Sequence, residues 1–143
     1  MTAYIDTSAL AKWYVREPRS DEFEVWVRCA DCPTISSLSL VEMRCLLARR
    51  RRTGSLDNQS ESQAYALFLQ DIDQRHLTVE FLDDADVRSA VHLMEHVGAR
   101  PLRTLDAIHL SVCSSRRFDT LATADTVMAA AAADLGIEGV RFD

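Results

Sequence analysis

The sequence predicts a single α/β domain with a mainly parallel central sheet covered by helices on both faces. Three observations predict it. Short apolar runs of strand type alternate with amphipathic helical stretches along the whole chain, the pattern that gives parallel strands joined by crossover helices. The 143 residues, 48% hydrophobic and 27% charged, suffice for one core and leave no room for a second domain of ordinary size. No internal repeat, linker or low-complexity segment divides the chain, although Ala129 to Ala133 is a plain helix-forming run.

In chain order, Ala3 to Asp6 reads as a buried strand and Thr7 to about Arg16 as a helix stopped by Glu17-Pro18. Thr7 or Ser8 can cap that helix, which places Asp6 at a strand-to-helix turn, where ligands bind in open α/β sheets. Asp6 is thus read in two ways, as a helix cap and as a group placed for chemistry. Ser20-Asp21-Glu22 starts a second helix to about Cys29, with Phe23, Trp26 and Val27 as its buried stripe. Pro33 to Ser36 is a short strand. Ser37 or Ser39 then starts a helix with Leu38, Val41, Cys45 and Leu46 expected inward and Glu42 in its first turns. That helix runs into Arg49-Arg50-Arg51-Arg52 and stops near Gly54. The arginine run suits the negative end of a helix dipole and equally suits nucleic-acid phosphates. Arg49, seven residues after Glu42, lies on the same face about 10 Å further along.

A long helix from about Asp57 to Asp73 is expected to turn Tyr65, Phe68, Leu69 and Ile72 inward. Leu77 to Leu82 reads as a strand, and Asp83 or Asp84 opens a helix through His92 and His96 to Gly98. The two histidines share a helix face with no further ligand at a readable spacing, so they read as surface or packed groups. After the Arg100-Pro101-Leu102 loop, Thr104 can cap a helix that holds Asp106 in its first turn and buries Leu105, Ile108, Val112 and Cys113. His109 could approach the site, although packing is the reading its spacing favours. Phe118 to Thr123 is the next strand, after which Asp125 repeats the placement of Asp6 before a helix from Thr126 to Leu135; Val140 to Phe142 closes the chain as a strand.

Composition narrows the class. A formal net charge of −6 argues against nonspecific capture of nucleic acid over the whole surface, yet Lys12 is the only lysine among 16 basic residues and the arginines are concentrated locally. There is no signal-peptide pattern and no apolar run near the roughly 20 residues that span a bilayer, so a cytoplasmic protein is expected. Cys29, Cys32, Cys45 and Cys113 are expected as reduced thiols, because Cys29-Ala-Asp-Cys32 lacks the second ligand pair of a zinc site.

Four stretches carry a resemblance. Tyr4-Ile5-Asp6-Thr7-Ser8-Ala9-Leu10, Ser39-Leu40-Val41-Glu42, Leu105-Asp106-Ala107-Ile108-His109-Leu110 and Leu121-Ala122-Thr123-Ala124-Asp125 resemble, in order, the four acidic motifs of PIN-domain ribonucleases, and the length and element order resemble VapC-type toxins of toxin-antitoxin modules. Since 22 residues are acidic, one motif would carry little; four in order over the whole chain carry much more. The resemblance implies a single PIN-like domain over residues 1–143, a Mg²⁺- or Mn²⁺-dependent endoribonuclease leaving 5′-phosphate ends, a homodimer, and a small antitoxin whose C-terminal segment enters the acidic groove. The acids are consistent with that chemistry: clustered carboxylates repel one another, and their hard oxygens suit Mg²⁺ or Mn²⁺, which can activate water against a phosphodiester. Asp6 and Asp106 are assigned as direct ligands, Glu42 as ligand or orienter of water, and Asp125 as ligand directly or through water. Thr7 and Thr123 are expected to support them from behind, with Arg49 and Arg52 as RNA contacts. Two other classes compete. A phospho-receiver needs an adjacent acid pair after its first strand and a late lysine, and this chain has neither. A catalytically silent PIN-like module binding RNA or protein is the alternative that retains the fold.

Overall fold

The structure, a computed structural model, describes residues 1–143. Five strands form one sheet: β1 (Thr2–Ile5), β2 (Cys32–Ser36), β3 (Thr78–Glu80), β4 (Thr120–Thr123) and β5 (Glu138–Arg141). Their order is β3-β2-β1-β4-β5, and every neighbouring pair is parallel. Seven helices connect and flank them: α1 (Thr7–Tyr14), α2 (Ser20–Arg28), α3 (Leu38–Arg52), α4 (Asn58–Asp73), α5 (Asp84–Val97), α6 (Thr104–Ser115) and α7 (Thr126–Asp134).

Because strand side chains alternate between faces, adjacent residues of β1 feed different cores. Ile5 packs with Leu10, Phe23, Ile35, Met43, Leu47 and Phe68 under α1 to α4, whereas Tyr4 packs with Leu93, Leu110, Leu121 and Met128 under α5 to α7. The chain leaves β1 toward β2 and β3 on one side, then returns to place β4 on the other. This reversal opens a crevice at the carboxyl ends of β1 and β4, where parallel α/β sheets take ligands.

Several local expectations are corrected. On α3 the buried side is Ser39, Met43 and Leu47, while Val41 and Cys45 are exposed and Leu46 is only partly covered. On α4 Phe68 and Ala64 face the core, but Leu69 is exposed, as is Leu105 at the start of α6. Pairing in β3 is confined to three residues: the Leu82 N–H donates to Ser37 Oγ, and Asp83 and Asp86 close a reciprocal cap that begins α5. Ser37 therefore serves a neighbouring segment and does not cap α3. The residue at the cap of α6 is Arg103, one before Thr104. All four cysteines are free, and no helix is long and apolar enough to cross a membrane.

Candidate active site

Asp6 follows β1 in an extended conformation, with its N–H donating to the Ala122 carbonyl at 2.9 Å and its own carbonyl accepting the N–H groups of Ala9 and Leu10 that begin α1. Its side chain makes no cap, and neither Thr7 nor Ser8 caps α1. Their hydroxyls are used on the site. Ser8 Oγ and Thr123 Oγ1 donate to Asp6 Oδ2 at 2.5 and 2.8 Å, and Ser8 Oγ accepts the Ala124 N–H at 2.9 Å, which ties the two strand ends together. Asp6 Oδ1 receives no hydrogen bond. Asp125, after β4, behaves differently: its Oδ1 accepts the N–H groups of Val127 and Met128 at 2.8 and 3.0 Å and begins α7.

Glu42 comes from the first turns of α3. Its Oε1 accepts the Thr7 hydroxyl at 2.9 Å and lies 2.5 Å from His109 Nε2, while His109 Nδ1 lies 2.6 Å from the Tyr4 hydroxyl. His109 is fully buried, as the favoured packing reading expects, and its bonds to Glu42 and Tyr4 also bring it to the site, the other reading its position allowed. Burial lowers its pKa, but the bond to Glu42 and the charges of Asp6, Glu42 and Asp106 outweigh it and leave it above its ordinary value. Burial raises the Tyr4 hydroxyl far above its usual range, so it stays protonated.

Asp106 sits in the first turn of α6, with Oδ2 accepting the Arg103 N–H at 3.2 Å. The Arg103 guanidinium reaches over the same acids, with Nε 3.3 Å from Asp106 Oδ2 and Nη2 3.6 Å from Asp125 Oδ2. Sequence reasoning missed Arg103, and it named His109 as able to approach the site without its bond to Glu42. Their signal was modest: a basic residue three before Asp106 and a histidine three after it.

One cavity of about 550 Å³ is lined by all four acids together with Thr7, Arg49, Arg52 and Arg103. Thr123 stands behind it, buried and bonded to Asp6. The arginine run divides. Arg50 pairs with Glu17 at 2.9 Å and Arg51 with the buried Glu61 at 2.5 Å, whereas Arg49 and Arg52 face the cavity and form no ion pair. Each carboxylate thus has one oxygen held by protein donors and one without a hydrogen bond: Asp6 Oδ1, Glu42 Oε2, Asp106 Oδ1 and Asp125 Oδ2. These are hard anionic donors of the kind Mg²⁺ and Mn²⁺ take. In the arrangement described no three of them converge as a ready ligand group, and the guanidinium of Arg103 stands beside two.

A parallel α/β sheet with carboxylates gathered at its topological switch point, backed by hydroxyls and flanked by arginines, defines a protein with an acidic centre at the carboxyl end of its sheet. The model of the PIN domain matches residues 3–134, and the chain belongs to that family. Ribonuclease VapC47 of Mycobacterium tuberculosis is 31% identical over 115 residues, covering 78% of this chain and 74% of its own, which sets the chain among VapC-type members. Among solved structures, Mycobacterium tuberculosis VapC20, described as a sarcin-ricin loop cleaving toxin, superposes with a TM-score of 0.73 at 21% identity over 98% of this chain and 99% of that one. VapBC2 from Rickettsia felis, bound to a DNA fragment from their promoter, gives 0.69 at 14% identity over the full length of both chains. FitAB bound to an IR36 DNA fragment gives 0.71 at 14% identity over 97% of this chain and 94% of that one.

Proposed function

We propose that the chain is a Mg²⁺- or Mn²⁺-dependent endoribonuclease, the toxin of a toxin-antitoxin pair. One observation carries the reading: four carboxylates, each with one oxygen fixed by the protein and one without a hydrogen bond, share a cavity whose wall also holds Arg49 and Arg52. Asp6, Asp106 and Asp125 would hold the cation, which when bound supplies the positive charge that admits an RNA phosphate to this acidic site and lowers the pKa of water.

The chain's own groups do the rest. Arg49 and Arg52 take phosphates flanking the scissile one and bring the backbone across the acids. Glu42, its Oε1 fixed by Thr7 and His109, turns Oε2 to the cavity to orient the attacking water and receive its proton. His109 holds Glu42 in place and shares its charge. Water adds to phosphorus as the bond to the 3′ oxygen breaks, and the departing 3′ oxygen takes a proton from solvent, leaving a 3′ hydroxyl and a 5′ phosphate. A small antitoxin is the proposed partner, a reading supported by the VapBC2 and FitAB assemblies among its structural relatives. A second copy of the chain is the proposed dimer partner, and the exposed Phe81, Val87 and Val91 offer apolar surface for it.

The test is incubation of purified protein with end-labelled total RNA in Mn²⁺ or in chelator. Discrete fragments with 5′ phosphates in Mn²⁺ alone are expected. Retention of RNA without cutting would instead identify a silent binding module, and equal cutting in chelator would overturn the metal.

A further inference from the structure

We propose that Arg103 is an exchangeable counter-ion of the site: it neutralises Asp106 and Asp125 while no divalent cation is bound, yields them to the cation, and then takes an RNA phosphate. This rests on the metal-dependent reading above and adds a residue that couples cation to substrate.

Three features of Arg103 support it. Its contacts with Asp106 and Asp125, at 3.3 and 3.6 Å, are longer than the 2.7–2.9 Å of a tight charge-assisted bond. Its side chain is 79% exposed, so the guanidinium can leave at little cost in hydration. By contrast Arg116, 24% exposed and bonded to Asp86, Glu80 and the Phe81 carbonyl, is held as structure. The start of α6, finally, does not need the Arg103 side chain: the Arg103 N–H bonds Asp106 and its carbonyl accepts the Ala107 N–H at 3.1 Å.

A guanidinium and a divalent cation cannot both occupy the free side of Asp125 and stand against Asp106, because their charges repel and they compete for Asp125 Oδ2. The ion displaces the arginine by charge. The freed guanidinium matches two phosphate oxygens at once and lies in the same cavity as Arg49 and Arg52.

The experiment is calorimetric titration of Mn²⁺ into wild-type protein, Arg103→Gln and Arg103→Lys at low ionic strength without RNA. Arg103→Gln should bind Mn²⁺ about tenfold more tightly at unchanged stoichiometry, the summed worth of two exposed ion pairs, and Arg103→Lys should stay near wild type. Equal affinity in all three would overturn the exchange while leaving metal binding intact. Failure of every protein to bind Mn²⁺ would overturn the metal reading itself, and the exchange with it. An Arg103→Gln protein that does not fold would also overturn the proposal, since the helix start rests on backbone groups.

Discussion

At the end of β1 the Asp6 carboxylate makes no bond to the helix that follows, whereas one strand away Asp125 gives an oxygen to the N–H groups of Val127 and Met128 and begins its helix. The two turns share a pattern, an aspartate after a parallel strand, and differ in what holds the carboxylate. Asp6 is fixed by the hydroxyls of Ser8 and Thr123 and faces the titratable His109 at 3.9 Å; Asp125 is fixed by backbone and faces Arg103, whose charge is permanent. Local pattern therefore tells where a carboxylate is delivered, while its task is set by groups that arrive from elsewhere in the chain.

The largest expected effect is on catalysis. Asp6→Asn should lower RNA cleavage by about a thousandfold, and Asp125→Asn, which alters a group expected to reach the cation directly or through water, by about tenfold. Rates on one fluorogenic RNA measure both, and equal losses would break the comparison. Next comes stability, with the order reversed. Asp125→Ala removes a cap and should cost about 1 kcal/mol, roughly 4 °C in Tm, while Asp125→Asn keeps the accepting oxygen and should melt near wild type. Thermal melts in chelator decide this.

The smallest effect concerns pH. The folded His109 holds its proton more tightly than the ordinary value of 6.5, so its contribution to stability is full below that pH and is lost as pH rises through the higher folded value. Protein in chelator should therefore melt higher at pH 6 than at pH 8 by a margin that His109→Gln removes. Asp6→Asn should shrink that margin and Asp125→Asn should not, because Asp6 and not Asp125 contributes to the shift. Equal slopes in the two variants would show that both turns share one counter-ion.

The four acids were legible because each falls where an apolar run breaks or a helix begins, which chain order alone reveals. Two further buried carboxylates, Glu61 and Asp86, were not distinguished by sequence; they are neutralised by Arg44 and Arg51, and by Arg116, contacts made between different elements and not within one. The bond of His109 to Glu42 was not legible for the same reason, since the two lie 67 residues apart. The face of α3 was misread because periodicity ranks Val41 and Cys45 above Ser39. Packing against α1 buries Ser39 instead, where its hydroxyl lies 3.3 Å from that of Thr7, and leaves the apolar pair outside.

The split of the four consecutive arginines makes α3 a ruler. Seven residues separate Glu42 from Arg49, almost two full turns, and each residue turns the helix by about 100°. Inserting or deleting one residue between them would rotate Arg49 and Arg52 off the cavity wall and bring other members of the run round, at unchanged composition and charge. Length changes are harmless only past the end of the helix, at Gly54, whose φ of +83° already breaks the winding. Helical phase, and not the number of arginines, decides which of them meet the acids.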